Sequence, residues 1–114
     1  MTVTVYGIKN CDTMKKALVW LEGKNIDFTF HNYKKQGVDE GVLRHAIEQC
    51  GWEAVINRRG TTWRLLPEEV KNTMDDQAAV TIALENPSII KRPLLVRDGI
   101  VHLGFSEAEY KKIF

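Results

Sequence analysis

Cys11 is the residue in this sequence best placed to do chemistry. Before it, the alternating residues 2–6 predict a β-strand, and after it apolar residues recur at the spacing of an amphipathic helix. Cys11 therefore falls in the turn from the first strand to the first helix. The unpaired N–H groups and the dipole at a helix N-terminus favour a thiolate, which lowers the pKa of the cysteine and makes its sulfur nucleophilic.

A second thiol is missing from the C-x-x-C position, because residue 14 is methionine. We therefore expect Cys11 to act as a single nucleophile on a disulfide or an electrophilic oxyanion. A mixed disulfide formed in this way needs a separate thiol, such as glutathione, to resolve it. Thr13 and neighbouring backbone N–H groups are candidates to hydrogen-bond the thiolate. The alternative interpretation is that Cys11 is an ordinary loop cysteine.

Cys50 is the other cysteine, and it falls on the apolar stripe of a helix predicted from residue 39 to residue 50. A free cysteine packs as a small hydrophobe, so a core position is the favoured interpretation. The alternative is that Cys50 resolves a disulfide formed at Cys11.

Residues 57–64 are the least regular and most basic part of the chain, and they include Arg58, Arg59 and Arg64. Guanidinium groups bind carboxylates and oxyanions in a bidentate way. This cluster could therefore hold an anionic substrate or the carboxylates of glutathione. A solvated basic loop explains the same pattern equally well.

The predicted elements that position these residues follow the order βαβ, several helices, then ββα. A helix over 12–23 and a strand over 26–33 complete the first part, which implies two parallel strands. Further helices are expected to begin near residues 39, 67 and 75. This is the layout of an α/β, thioredoxin-like fold with a mixed four-stranded sheet. We expect one domain over 1–114, with an all-helical insertion at about 38–88.

The last part of the chain carries two clear local signals. Asp98-Gly99 between apolar runs predicts a hairpin over 94–103 with a type I′ turn. After it, Ser106 begins a capping box for the final helix, where Phe105 is placed to pack on Tyr110 as a hydrophobic staple.

Composition excludes several classes of protein. The 114 residues suffice for one domain, and the formal net charge of +1 gives no overall attraction to nucleic acid or to a membrane surface. No signal-peptide pattern is present, so the two cysteines indicate a reducing cytoplasm. The three histidines lack metal-ligand spacing, so we expect no metal. We expect a monomer with no nucleic-acid partner and no membrane contact.

Three stretches carry a resemblance to a known family: residues 6–13, Asn57-Arg58 and residues 90–93. They resemble the arsenate-reductase-like family (ArsC/Spx), and most of all its YffB-type branch, over nearly the whole chain. The resemblance implies a thioredoxin-like fold with a helical insertion. It also implies a cis peptide bond before Pro93, although the dipeptide alone favours a trans proline at a strand edge.

The resemblance also implies roles for individual residues. Cys11 matches the nucleophilic cysteine, and Arg58 matches the first oxyanion-binding arginine, with Arg59 as the alternative if the loop is shifted by one residue. Arg92 matches the second arginine, and Gly104 stands where the reductases carry a third. The other residues placed in the substrate or glutathione site are Asn10, Thr13 and Pro93.

Three functions follow as hypotheses. The leading one is a glutathione-dependent thiol reductase, with glutathione as co-substrate and either glutaredoxin or a thiol/disulfide substrate as a further partner. The first alternative is arsenate reduction, which predicts arsenite production that depends on glutathione and glutaredoxin. The second alternative is an Spx-like redox regulator that binds RNA polymerase, which a pull-down with polymerase subunits would detect.

Overall fold

The computed structural model describes residues 2–114. Its helices and strands, in chain order, are β1 (Val3–Gly7), α1 (Asp12–Gly23), β2 (Thr29–Asn32), α2 (Tyr33–Gln36), α3 (Glu40–Cys50), α4 (Trp52–Val55), α5 (Thr61–Arg64), α6 (Glu68–Asn72), α7 (Asp76–Glu85), a 3-10 turn (Pro87–Ile89), β3 (Leu94–Arg97), β4 (Ile100–Leu103) and α8 (Glu107–Ile113).

The chain forms two compact units. The first contains the chain up to Gln36 together with Arg92–Phe114, and the second is Gly37–Lys91. The sequence-based assignment of a single domain with an insertion at about 38–88 stays a prediction.

A four-stranded sheet in the order β2-β1-β3-β4 organises the first unit. The strands β1 and β2 run parallel, with Val5 opposite Phe30, whereas β3 is antiparallel to both β1 and β4. The alternating pattern of β1 buries Val3 and Val5 on the face that packs with α1 and α8. This mixed sheet, built as βαβ and then ββα, confirms the thioredoxin-like fold.

Local signals in the last part of the chain are confirmed. Asp98 and Gly99 both have positive φ, at 50° and 83°, as a type I′ turn requires. Ser106 Oγ accepts a hydrogen bond from the N–H of Glu109 at 3.1 Å, which caps α8. The rings of Phe105 and Tyr110 meet edge to face, with centroids 4.7 Å apart.

The second strand is shorter than the predicted 26–33. The N–H of Ile26 donates to the carbonyl of Leu21 at the end of α1, at 3.0 Å, so Ile26 is not part of the strand ladder. Pairing with β1 begins at Thr29 and ends at Asn32. The side chain of Asn32 then accepts a hydrogen bond from the N–H of Lys34 at 3.0 Å, which turns the chain into α2.

Helices fill the second unit, and aspartates begin two of them. Asp39 accepts from the N–H of Val42 at 3.1 Å to cap α3, and Asp75 accepts from the N–H of Ala78 at 2.8 Å to cap α7. The apolar faces of α3 and α7 pack together. An antiparallel bridge between Ile56 and Ile90 ties the segment before Arg58 to the segment that ends at Lys91.

Candidate active site

Cys11 lies at the N-cap of α1, immediately before the first helical residue, as predicted. Its backbone is extended, with φ −148° and ψ 128°, and its carbonyl accepts the N–H of Lys15 at 3.0 Å as the helix begins. The thiol is half-buried and free. Cys11 is therefore placed at the end of a helix where backbone N–H groups are available to a thiolate.

The surroundings of Cys11 lower its pKa. Partial burial raises the pKa of the thiol, but hydrogen bonds from the backbone N–H of Met14, from the Arg92 side chain and from the backbone N–H of Thr13 outweigh it, with help from the positive charge of Arg92. The net effect is a pKa below the ordinary value. Stabilisation by donors of this kind is what a nucleophilic cysteine needs near neutral pH.

Arg92 reaches Cys11 from the start of β3. The Arg92-Pro93 peptide bond is cis, which confirms the prediction from the family resemblance. Pro93 is buried, and its carbonyl accepts the N–H of Gly104 at 2.9 Å. The first unit therefore brings together Cys11, the backbone of Thr13 and the Arg92-Pro93 pair, while Asn10 lies exposed in the turn just before them.

Tyr33 belongs to the same surroundings, although no sequence motif indicates it. It is 5% exposed and follows the end of β2, and its ring meets His31 edge to face at 6.1 Å. The ring of His31 in turn lies 5.0 Å from that of Tyr6. Burial raises the pKa of the Tyr33 phenol, the nearby Tyr6 adds to the rise, and the positive charge of Arg92 opposes it. Tyr33 therefore remains a neutral neighbour of Arg92.

Arg58 and Arg59 belong to the second unit, where both are exposed. They line a cavity of about 630 Å³ whose wall also includes Trp63 and Lys91. The backbone N–H of Lys91 donates to the carbonyl of Val55 at 2.8 Å, which fixes this end of the wall. Glu53 also lines this cavity, so two arginines and a lysine face a single carboxylate, and the excess positive charge favours an anionic occupant.

Lys91 was also missed by the sequence analysis. The available signal was its place directly before Arg92 in one of the family-like stretches. The bridge that brings Lys91 near the arginines joins residues far apart in the chain, so no local pattern indicates it.

Cys50 ends α3 as a half-buried free thiol. Burial raises the pKa of this thiol, in contrast to that of Cys11. Cys50 therefore has the properties of a packing residue more than of a nucleophile.

Two other kinds of feature are absent from residues 2–114. Nowhere in this range do three or more His, Cys, Asp or Glu side chains group so that they could hold a metal ion. Across the same residues, every helix is too short or too polar to cross a membrane.

Comparisons with known proteins agree with this geometry. The model of the ArsC family matches residues 6–113. A protein of Haemophilus influenzae with no assigned function is 49% identical over 112 residues, which is 98% of each chain. The solved structure of an arsenate reductase (ArsC) related protein from Brucella melitensis is 51% identical, with a TM-score of 0.80 over 98% of this chain and 93% of that one. A solved YffB protein is 43% identical, with a TM-score of 0.93 over 97% of each chain.

A more distant relative is a regulator. The global transcriptional regulator Spx 2 of Lactococcus lactis is 27% identical over 111 residues, which is 96% of this chain and 83% of that protein.

Proposed function

Because this chain belongs to the ArsC family and has the family's arsenate-reductase-like thiol reductase fold, we propose that it is a glutathione-dependent thiol–disulfide oxidoreductase. The observation that carries the proposal is the Cys11 thiol at a helix N-terminus, with Arg92 and backbone N–H groups lowering its pKa. A lowered pKa increases the fraction of thiolate, which is the species that attacks a disulfide.

The reaction proceeds in three exchanges. The Cys11 thiolate attacks one sulfur of a substrate disulfide, a new sulfur–sulfur bond forms to Cys11, and the other half leaves as a thiolate that takes up a proton. The thiolate of glutathione then attacks the mixed disulfide. A disulfide forms between glutathione and the first half of the substrate, and Cys11 is released as a thiolate. One half of the substrate is then a free thiol and the other half is a mixed disulfide with glutathione. The thiolate of a second glutathione attacks that mixed disulfide, which gives oxidised glutathione and releases the second half as a thiol.

The resolving thiol must come from outside the Cys11 turn. Met14 stands at the C-x-x-C position, and its side chain is fully buried. Cys50, the other cysteine of the chain, is a poorer resolving thiol than glutathione, because burial raises its pKa and disfavours its thiolate. Glutathione is the abundant thiol of a reducing compartment and fills this role in the proposal.

The arginines have separate roles in this proposal. Arg92 stabilises the thiolate of Cys11 before attack and after its release. Arg58, or Arg59 in its place, binds a carboxylate of glutathione, which the anion-favouring cavity in the second unit supports. Asn10 and Thr13 are exposed beside Cys11 and complete the substrate-binding surface, while the buried Pro93 supports it from beneath, next to Arg92.

Arsenate reduction has weaker support. The family's reductases have a third arginine where Gly104 stands, and Gly104 has φ 77°, in the left-handed region that favours glycine. A charged hydrogen bond contributes about 1.5–3 kcal/mol, so one missing arginine lowers the affinity for an oxyanion by roughly one to two orders of magnitude. A regulatory role like that of Spx is supported by sequence relatives that are 22–27% identical.

The proposal is tested by glutathione-dependent reduction of a small mixed disulfide, in the wild type and in two serine variants. Cys11→Ser should abolish the activity, and Cys50→Ser should retain it. If Cys11→Ser kept full activity, the proposed mechanism would be wrong. If Cys50→Ser lost the activity while remaining folded, Cys50 would be the resolving thiol in place of glutathione.

A further inference from the structure

Arg58 lies at one end of a stack of four side chains in the second unit. Its guanidinium carbon is 5.7 Å from the ring centre of Trp52. The rings of Trp52 and Trp63 are stacked, with centroids 6.1 Å apart and planes 25° from parallel. Lys71 closes the far end, with its Nζ 6.0 Å from the ring centre of Trp63. Each of the two stacked indole rings thus has one cation close to it.

A chain of hydrogen bonds leads back from Lys71 to the same loop. Lys71 Nζ donates to the carbonyl of Arg64 at 3.3 Å, and Arg64 Nη2 donates to the carbonyl of Arg59 at 2.9 Å. The N–H of Arg59 then donates to the side chain of Asn57 at 3.2 Å. Stack and hydrogen bonds together form a ring of contacts that leaves the Arg58-Arg59 loop and returns to it. We call this set of residues the Trp52–Trp63 network.

Lys71 joins the two parts of the Trp52–Trp63 network, the stacked side chains and the chain of hydrogen bonds. Its side chain is 17% exposed, whereas that of Glu68, its ion-pair partner at 3.5 Å, is 79% exposed. A lysine is normally solvated, so this degree of burial needs compensating contacts, which Trp63 and the Arg64 carbonyl provide. The guanidinium of Arg64 likewise makes an internal contact, because it donates to the backbone of the Arg58-Arg59 loop.

We propose that Trp52, Trp63, Lys71 and Arg64 are positioning residues that hold Arg58 and Arg59 in the geometry that receives a carboxylate. The inference rests on the proposed function, in which Arg58 or Arg59 binds glutathione. A guanidinium held beside an indole ring can still present N–H groups to a bidentate carboxylate. An arginine already held in place also loses less side-chain entropy when the ligand binds.

This arrangement separates binding from chemistry. Loss of the Trp52–Trp63 network should raise the KM for glutathione, because Arg58 and Arg59 become mobile. It should leave the pH dependence of Cys11 alkylation unchanged, because the groups that lower the pKa of Cys11 all belong to the first unit. A residue needed only for folding would not produce this split.

The experiment compares Lys71→Met, Lys71→Arg and Trp63→Leu with the wild type in the glutathione-dependent disulfide assay. Lys71→Met and Trp63→Leu should each raise the KM for glutathione by about tenfold with little change in kcat, and Lys71→Arg should restore most of the affinity. Arg44→Met is the matched control in the same unit, because Arg44 forms its contacts with Glu40 and Gln77.

An Arg58→Met background separates the inference from the proposed function. Arg58→Met should raise the KM for glutathione, and adding Lys71→Met to it should raise the KM by a smaller factor than Lys71→Met does in the wild type. If Arg58→Met raises the KM but Lys71→Met and Trp63→Leu do not, the positioning role is wrong while the proposed function stands. If Arg58→Met and Arg59→Met both leave the KM unchanged, the anion-binding role fails and the inference fails with it.

Discussion

Met14 occupies the space that a side chain on Gly7 would need. A Cβ atom at Gly7 would lie 2.6 Å from Met14 Sδ and 2.9 Å from Met14 Cε. The end of β1 and the first turn of α1 are therefore packed against each other through a residue without a side chain. This close approach holds the turn that carries Cys11 against the first turn of α1. The residue at the C-x-x-C position is the buried thioether Met14.

Gly7→Ala should destabilise the protein by about 1–3 kcal/mol, because the added methyl overpacks against the fully buried Met14. Unfolding in urea measures the loss. Gly23→Ala is the matched control, because nothing lies within 4 Å of a Cβ at Gly23. Met14→Ala should cost less stability in the Gly7→Ala protein than in the wild type, because the added methyl fills part of the cavity. Equal stability of Gly7→Ala and wild type would contradict the packing described here.

Arg92→Met should slow the alkylation of Cys11 at pH 7 by about tenfold, because a charged hydrogen-bond donor to the thiolate is lost. The rate with a small alkylating reagent measures the effect in a Cys50→Ala background. Arg97→Met removes an equal charge from the same unit at the far end of β3 and should alter the rate little. Equal slowing in both variants would mean that general charge, and not the contact with Arg92, stabilises the thiolate.

The lowered pKa of Cys11 also makes a prediction for stability. An unfolded cysteine has a pKa of about 8.5, so the folded thiolate contributes stability above that value. That contribution is lost as the pH falls through the lowered pKa of the folded state. Cys11→Ser should therefore cost more stability at mildly alkaline pH than at acidic pH, as urea unfolding at the two pH values would show. A cost that did not vary with pH would contradict the lowered pKa.

Tyr110→Phe should stabilise the protein by about 1 kcal/mol at neutral pH. The Tyr110 hydroxyl is buried and finds no hydrogen-bond partner among residues 2–114, and burial raises its pKa. The Tyr110 ring itself packs well, since its centroid lies 4.7 Å from that of Phe105 and 5.5 Å from that of Trp20. Tyr110→Leu should therefore destabilise the protein, and thermal unfolding compares the two. Destabilisation by Tyr110→Phe would mean that the hydroxyl has a partner.

Local chemistry made much of the first unit predictable from sequence. The Cys11 turn, the Asp98-Gly99 hairpin and the Ser106 cap each depend on a few neighbouring residues, and the structure confirms all three. The cis bond at Pro93 was predictable only through the family resemblance, because the dipeptide alone favours trans.

Long-range contacts were beyond the sequence patterns. The second strand begins late because Ile26 donates to the last turn of α1, a competition that alternation of apolar residues does not reveal. Tyr33 and Lys91 reach their surroundings through strand pairing and an isolated bridge. The stack of Trp52 on Trp63 joins two helical turns separated by a basic loop, and each tryptophan alone was expected only to pack.

A titration of Cys11 decides whether this chain has a working catalytic thiol. The rate of alkylation is followed against pH in a Cys50→Ala protein, with and without oxidised glutathione. We predict a pKa below the ordinary value of about 8.5, together with a mixed disulfide between Cys11 and glutathione that protects the thiol. An ordinary pKa and no mixed disulfide would contradict the proposed oxidoreductase.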